Sequence, residues 1–312
     1  MFVDSAKEHG VGHGFYYSVV VNNFLNVQDS EVRDGDLAPG QVGITDRTYN
    51  EVVLKQLEEL WGNYGDLTEI WFDGGYSATQ KDKIQSLLQE KQPQAVIFGA
   101  CDNNGTCISP NSIRWIGTEE GRAPEENWST PIFCPSECDT TLQNKDRWFY
   151  GVNSTIRSLD EMIDVYHNTV GRNCLLELDL TPDRSGLIPE EHAKRYKELG
   201  DFIRGCYGKP IMPDQEGEGK DDGVYRLKFN EPTRIDRISL MEDQSDGQVI
   251  RSFGVYGKNE DESEMKKLAS GSSIGHKRIL IFDEPVSVSE VMVNTTFVDV
   301  PKWRSVSVHH CK

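Results

Sequence analysis

Basic charge is scarce in this sequence. Only 33 of its 312 residues are Lys or Arg, against 51 Asp or Glu, for a net charge of -18. Binding a phosphate backbone or an anionic membrane surface takes clustered Lys and Arg. Nucleic acid and membranes are therefore not expected as partners, whereas neutral ligands such as glycans remain open. Long apolar runs are lacking as well: no stretch reaches the roughly 18 residues of a membrane-spanning helix. Met1-Phe2-Val3-Asp4-Ser5-Ala6-Lys7 shows no apolar region of a secretory leader. Nor is there a G-x-S-x-G elbow, a phosphate loop, an H-E-x-x-H helix or a dinucleotide fingerprint, so no cofactor is expected.

Cysteine is sparse but informative. The chain has 7, an odd number, so at least one thiol stays unpaired within it. Cys101 with Cys107, and Cys134 with Cys138, lie in loop-like stretches where short-range disulfides would fit, while Cys174 in an apolar run reads as a buried thiol. Paired Cys-x-x-Cys knuckles are missing, so no metal site is expected, and His309-His310-Cys311 reads as a strand end. Glycosylation sequons begin at Asn104, Asn127, Asn153 and Asn294, and with the disulfides they lean toward an oxidising compartment.

The stretch that organises the rest is Leu67-Thr68-Glu69-Ile70-Trp71-Phe72-Asp73-Gly74-Gly75, a short apolar run ending in a carboxylate and two glycines. Such a run reads as a buried strand, with Asp73 at its carboxyl end, the edge where parallel α/β sheets place their chemistry. Side chains alternate along a strand, so Trp71 and Asp73 share a face, an aromatic wall beside an acid that suits a sugar. A capping role for Asp73 competes less well, because Ser77 with Gln80 already resembles the capping box of the next helix.

Around this stretch, helical spacing (2–10, 48–64, 78–92, 159–170 and 189–207) alternates with strand-like runs (14–21, 67–72, 95–100, 113–117 and 174–180), the βαβ pattern of an α/β fold. About five or six strands fall short of the eight of a complete (β/α)8 TIM-type barrel. The expected domains are residues 1–210 as the C-terminal two-thirds of such a barrel, N-terminally incomplete, an acidic, glycine-rich linker over 211–223, and a C-terminal β-sandwich over 224–312, where the period changes to two.

Hydrolysing a glycoside takes two carboxyl groups flanking the scissile bond, one ionised and one protonated. Asp73 is one candidate. Glu119, Glu120 and Glu137 are available as the other: Glu119 follows a tryptophan strand and a glycine as Asp73 does, and Glu137 lies between two cysteines. The aromatics Tyr17, Trp71, Trp115 and Trp148 at strand ends are candidates for stacking on a sugar face.

Together, Gly14-Phe15-Tyr16-Tyr17-Ser18, Glu69-Ile70-Trp71-Phe72-Asp73-Gly74, Arg114-Trp115-Ile116-Gly117-Thr118-Glu119-Glu120-Gly121 and Pro182-Asp183-Arg184-Ser185-Gly186 resemble the α-L-fucosidases of glycoside hydrolase family 29. The plant-type branch acting on α-1,3- and α-1,4-linked fucose is the most similar. The resemblance implies a retaining mechanism with Asp73 as nucleophile and Glu119 as acid/base, Glu137 being the alternative, and with Tyr17 and Trp71 lining the fucose pocket. Thr118 stands where the family's acid/base segment has asparagine. The family's first barrel strands, with a tryptophan and paired histidines, have no counterpart before Met1, so weak stability and weak activity of this chain are expected. The implied partner is a fucosylated oligosaccharide or glycoprotein glycan, and the implied location is extracellular, apoplastic or lysosome-like. A catalytically inactive, glycan-binding remnant is the other reading.

Overall fold

A computed structural model describes residues 2–101, 106–128, 134–144, 147–218 and 223–311. The chain forms two compact units, Met1–Trp115 and Ile116–Lys312. In the first, helix α1 (Phe2–Glu8) precedes strand β1 (Gly14–Tyr17). The polar segment that follows carries a small antiparallel sheet of β2 (Val21–Asn22), β3 (Val27–Gln28) and β4 (Glu31–Val32). Then come α2 (Asp46–Gly62), β5 (Glu69–Phe72), α3 (Lys81–Lys91), β6 (Val96–Phe98) and β7 (Ser112–Trp115). Strands β1, β5, β6 and β7 make a parallel sheet in that order.

The core of this unit lies between the sheet and its helices. Ile70 and Phe72, alternate residues of β5, are fully buried, as are Val53 and Leu57 of α2 and Ile84 of α3. Tyr49, Val53, Leu57 and Trp61 recur every four residues and so form one helix face. Trp61 meets Phe72 edge to face with ring centroids 6.0 Å apart. Each such side chain contributes about 1.5–3 kcal/mol of hydrophobic stabilisation, which ties the strand carrying Asp73 to the helix layer. Thr45 caps α2, its Oγ1 accepting from the Thr48 amide at 3.2 Å. The box anticipated before α3 does not form: Ser77 Oγ contacts Thr79, and the buried Gln80 amide donates to Asn50 Oδ1 at 2.6 Å.

In the second unit, β8 (Ser136–Thr141) and β9 (Leu175–Asp179) pair in parallel, joined through α4 (Leu159–Asn168) and followed by α5 (Glu190–Tyr207). Ser158 and Glu161 close a full capping box on α4, as their spacing predicts. Met162, Tyr166 and Leu199 pack between the helices and Leu178 of β9. The remaining strands are β10 (Gln215–Glu218), β11 (Val224–Glu242), β12 (Ile250–Lys258), β13 (Lys266–Gly271), β14 (Arg278–Phe297) and β15 (Trp303–His309). They form one antiparallel sheet ordered β10-β11-β14-β12-β13, with β15 paired to β11.

One detail departs from the sequence-based expectation: Gln215–Glu218, read as linker from its composition, pairs with Tyr225–Lys228. The period-two stretch over 224–312 includes two long strands, β11 and β14, paired with register shifts between Lys228/Thr233 and Ile235/Arg237. Such irregularities bend a strand, and both halves of β11 contribute to one core through Leu227, Phe229, Ile238 and Leu240.

The cysteines also pair differently. Cys101 bonds Cys107 as expected, but Cys138 bonds Cys174 rather than Cys134. Four residues of extended chain span about 13 Å, beyond the roughly 4.4–6.8 Å between the Cα atoms of a disulfide. Cys138 therefore reaches sideways to the segment entering β9. A third bridge joins Cys206 of α5 to Cys311 beyond β15.

Candidate active site

Asp73 follows the last residue of β5 and is exposed, with its amide donating to the Tyr17 carbonyl of β1 at 3.2 Å. Gly74 (φ +74°) and Gly75 (φ +83°) turn the chain sharply away. A Cβ on Gly74 would lie 2.5 Å from Val20 Cγ2, so glycine is required both by conformation and by space.

The register Tyr16↔Trp71 and Tyr17↔Phe72 decides which tyrosine accompanies the acid. Paired residues of neighbouring parallel strands share a face, and faces alternate. Tyr16 thus joins Trp71 and Asp73: its hydroxyl donates to Asp73 Oδ2, and its ring stacks on Trp71 at 5.6 Å and 18°. Trp71 stacks in turn on Phe98 of β6 at 4.0 Å. Partial burial, and then the hydrogen bond to Asp73, push the Tyr16 phenol above its ordinary range, which keeps it protonated as a donor. Phe98 pairs with Ile113, so alternation carries the 41 % exposed Trp115 to the same face.

Tyr17, expected at the pocket, points instead to the helix layer. Its hydroxyl donates to Gln56 Oε1 of α2 at 2.6 Å, and its ring packs against the core of Val53, Leu57 and Phe72. Alternation puts the two tyrosines on opposite faces of β1, and the pairing register shows which of them faces Asp73. Tyr16, which the sequence reading did not single out, is the tyrosine whose hydroxyl meets Asp73.

In the second unit, Thr118, Glu119, Glu120 and Gly121 form a tight turn. It is closed by the Thr118 amide on the Arg122 carbonyl at 3.1 Å and the Gly121 amide on the Thr118 carbonyl at 2.9 Å. Gly117 and Gly121 both have positive φ, and a Cβ on Gly117 would lie 2.2 Å from the Arg122 carbonyl oxygen. Thr140 of β8 donates to the Glu119 carbonyl at 2.5 Å. This turn leaves the Glu119 side chain exposed while its backbone is held on both sides. Glu137 is placed otherwise: it lies within β8, not in a loop between bridged cysteines, and is fully buried. Asp139 and Glu177, and then Thr141 and Asp179, face one another across the β8–β9 register. Burial raises the Asp179 carboxyl above the ordinary carboxylate range.

Among the described residues no group of three or more His, Cys, Asp and Glu side chains is arranged to hold a metal ion, and no helix is long and apolar enough to cross a membrane.

A parallel-stranded unit with an exposed carboxylate at a strand's carboxyl end, oriented by a tyrosine and flanked by stacked aromatics, belongs to the class of α/β proteins that gather their chemistry at that edge of the sheet. The α-L-fucosidase family model matches residues 1–208, and the chain belongs to that family. It is 28% identical to α-L-fucosidase 1 of Arabidopsis thaliana, with 89% of this chain aligned to 62% of that protein. The chain therefore spans somewhat under two-thirds of the length of this plant relative. A crystal structure of a candidate α-L-fucosidase from Bacteroides thetaiotaomicron, 27% identical, superposes with a TM-score of 0.85, covering 100% of this chain and 75% of that one. A Ruminococcus gnavus family 29 fucosidase in complex with fucose, 19% identical, superposes with a TM-score of 0.79, covering 99% of this chain and 74% of that one. The shared fold combines curled parallel strands with a C-terminal antiparallel sheet.

Proposed function

We propose that this chain is the C-terminal barrel portion, residues 1–210, and the antiparallel domain, 224–312, of a retaining α-L-fucosidase that removes terminal α-1,3- or α-1,4-linked L-fucose from glycans. The observation that carries this reading is Asp73 at the end of β5, held by the Tyr16 hydroxyl beside Trp71, in a chain of the α-L-fucosidase family. Asp73 Oδ2 accepts from Tyr16, which leaves Oδ1 to attack the anomeric carbon. Glu119 gives its proton to the departing glycosidic oxygen as that bond breaks and a fucosyl ester forms on Asp73. Glu119, now ionised, takes a proton from water, which attacks the same carbon and releases fucose with retained configuration. This mechanism requires the two carboxyls about 5–5.5 Å apart. Exposure of Glu119 and burial of Glu137 favour the former as acid/base. Trp71 and Trp115 offer apolar walls for the sugar.

The disulfides Cys101–Cys107, Cys138–Cys174 and Cys206–Cys311 support an extracellular, apoplastic or lysosome-like setting, since reducing compartments keep thiols free.

The test is hydrolysis of p-nitrophenyl α-L-fucoside by the full chain and by Asp73→Ala, with azide added to the variant. Loss of activity in Asp73→Ala and azide-dependent formation of a fucosyl azide of inverted configuration are expected. Equal turnover by parent and variant would overturn the assignment. Binding of fucose without turnover by the parent would mark the chain as an inactive glycan-binding remnant.

A further inference from the structure

The tyrosine that orients Asp73 stands at the end of a column of rings. Tyr16 of β1, Trp71 of β5 and Phe98 of β6 are register partners across three parallel strands. Register partners point to one face, and neighbouring strands lie about 4.7–4.9 Å apart, so flat side chains at such positions can stack. The Tyr16 and Trp71 rings lie 5.6 Å apart at 18°, and the Trp71 and Phe98 rings 4.0 Å apart at 1°. Phe98 has no part in the reaction steps above.

The column is anchored at its buried end. Tyr16 is 60 % exposed, whereas Phe98 is 8 % exposed. The register partner of Phe98 on β7 is Ile113, which is also buried. Gly99 follows at φ +72°, where a Cβ would lie 2.7 Å from the Phe72 carbonyl oxygen. That close approach holds β6 against β5 at the level where Phe98 faces Trp71. The indole has no polar anchor of its own: Trp71 Nε1 is buried and meets no acceptor among the described residues. A ring without a hydrogen bond takes its orientation from what it packs on, which for Trp71 is Phe98. Tyr16 in turn packs on Trp71 and donates to Asp73 Oδ2.

Aromatic pairs are favourable beyond the area they bury, and they prefer defined ring planes. An aliphatic side chain at position 98 would fill the space without setting the plane of the indole. We propose that Phe98 is a positioning residue of the active site: through Trp71 it fixes the ring of Tyr16, and so the hydroxyl that orients Asp73 for attack. It acts through two rings and supplies no reacting group. That this orientation serves catalysis rests on the fucosidase reading; the control of the Tyr16 ring by Phe98 does not.

Phe98→Leu keeps the apolar volume and removes the ring; Phe98→Met serves the same purpose if the leucine protein does not fold. Hydrolysis of p-nitrophenyl α-L-fucoside is measured for the full chain, for Phe98→Leu, for Tyr16→Phe and for the double variant. Losing one aromatic pair is expected to lower kcat about fivefold, with KM changed less. In the Tyr16→Phe background the same substitution is expected to leave kcat unchanged, because the hydroxyl it acts through is already gone. A merely structural Phe98 would lower kcat equally in both backgrounds. That result overturns the proposal, as does parent kcat in Phe98→Leu. Fluorine NMR of protein labelled with 3-fluorotyrosine reads the ring without activity. The Tyr16 signal, assigned by its absence from Tyr16→Phe, is expected to be displaced by the Trp71 ring in the parent and to move toward free 3-fluorotyrosine in Phe98→Leu. An unmoved signal overturns the proposal. If no protein hydrolyses the fucoside but the signal moves, the fucosidase reading fails and the positioning of Tyr16 by Phe98 stands.

Discussion

Replacing Tyr16 and Tyr17 separately by Phe distinguishes the two faces of β1. Tyr16→Phe deletes only the hydroxyl that donates to Asp73 Oδ2. A hydrogen bond to a charged group contributes about 1.5–3 kcal/mol, and because Tyr16 is 60 % exposed water replaces part of it, which favours the lower figure. Roughly 1.4 kcal/mol of lost orientation corresponds to about a tenfold fall in kcat, with KM little changed because the ring and its stack on Trp71 remain. Tyr17→Phe loses the 2.6 Å bond to Gln56 on the helix side, a neutral bond contributing about 0.5–1.5 kcal/mol to stability. That variant is expected to unfold at lower denaturant concentration while its kcat per folded molecule stays at the parent value. Steady-state kinetics on p-nitrophenyl α-L-fucoside and urea denaturation of all three proteins make the comparison. A fall in kcat for Tyr17→Phe with Tyr16→Phe at the parent level would refute the face assignment and the orienting role of Tyr16 together.

Other expectations follow from the same geometry. Gly74→Ala forces a side chain into positive φ and against Val20, costing about 1–3 kcal/mol of strain; lower stability together with lower kcat, by displacement of Asp73, is expected from melting and kinetic measurements. Burial holds His167 and His309 well below the usual 6.5, at about 4. The unfolded chain then binds more protons than the folded one between those values, so stability should fall as pH drops from about 6.5 toward 4. A melting temperature independent of pH across that window would contradict the burial of both rings. In protein secreted from a glycosylating host, peptide mapping should find sugar on the exposed Asn153 and Asn294 but not on Asn127. That residue is 2 % exposed and donates to Ser136 Oγ and the Asn173 carbonyl, both at 2.7 Å; the sequon at Asn104 lies outside the described residues.

Much of the fold was legible because its signals are local. An apolar run closed by Asp73-Gly74-Gly75 marks a strand and its turn, the helical spacing over 48–64 marks a helix, and Ser158 with Glu161 marks a helix start. Each depends on sterics and hydrogen bonds within a few residues. The misread features depend on partners far away in sequence. Gln80 has the right spacing from Ser77 for a cap, but Asn50 on another helix offers its side chain a better-placed acceptor. Gln215–Glu218 has linker composition yet becomes strand because β11 presents an edge to it. Cys138 finds Cys174, separated by 36 residues, because β8 and β9 are neighbours.

The candidate site divides along the same line. By itself the sequence determined that Trp71 and Asp73 share a face and that glycines turn the chain sharply after Asp73 and around Glu119, because alternation and positive φ are properties of the backbone. Only tertiary structure decided that Tyr16 rather than Tyr17 meets the acid, that Glu137 is buried, and that Phe98 stacks on Trp71. Register and burial exist only once strands and helices have found their neighbours.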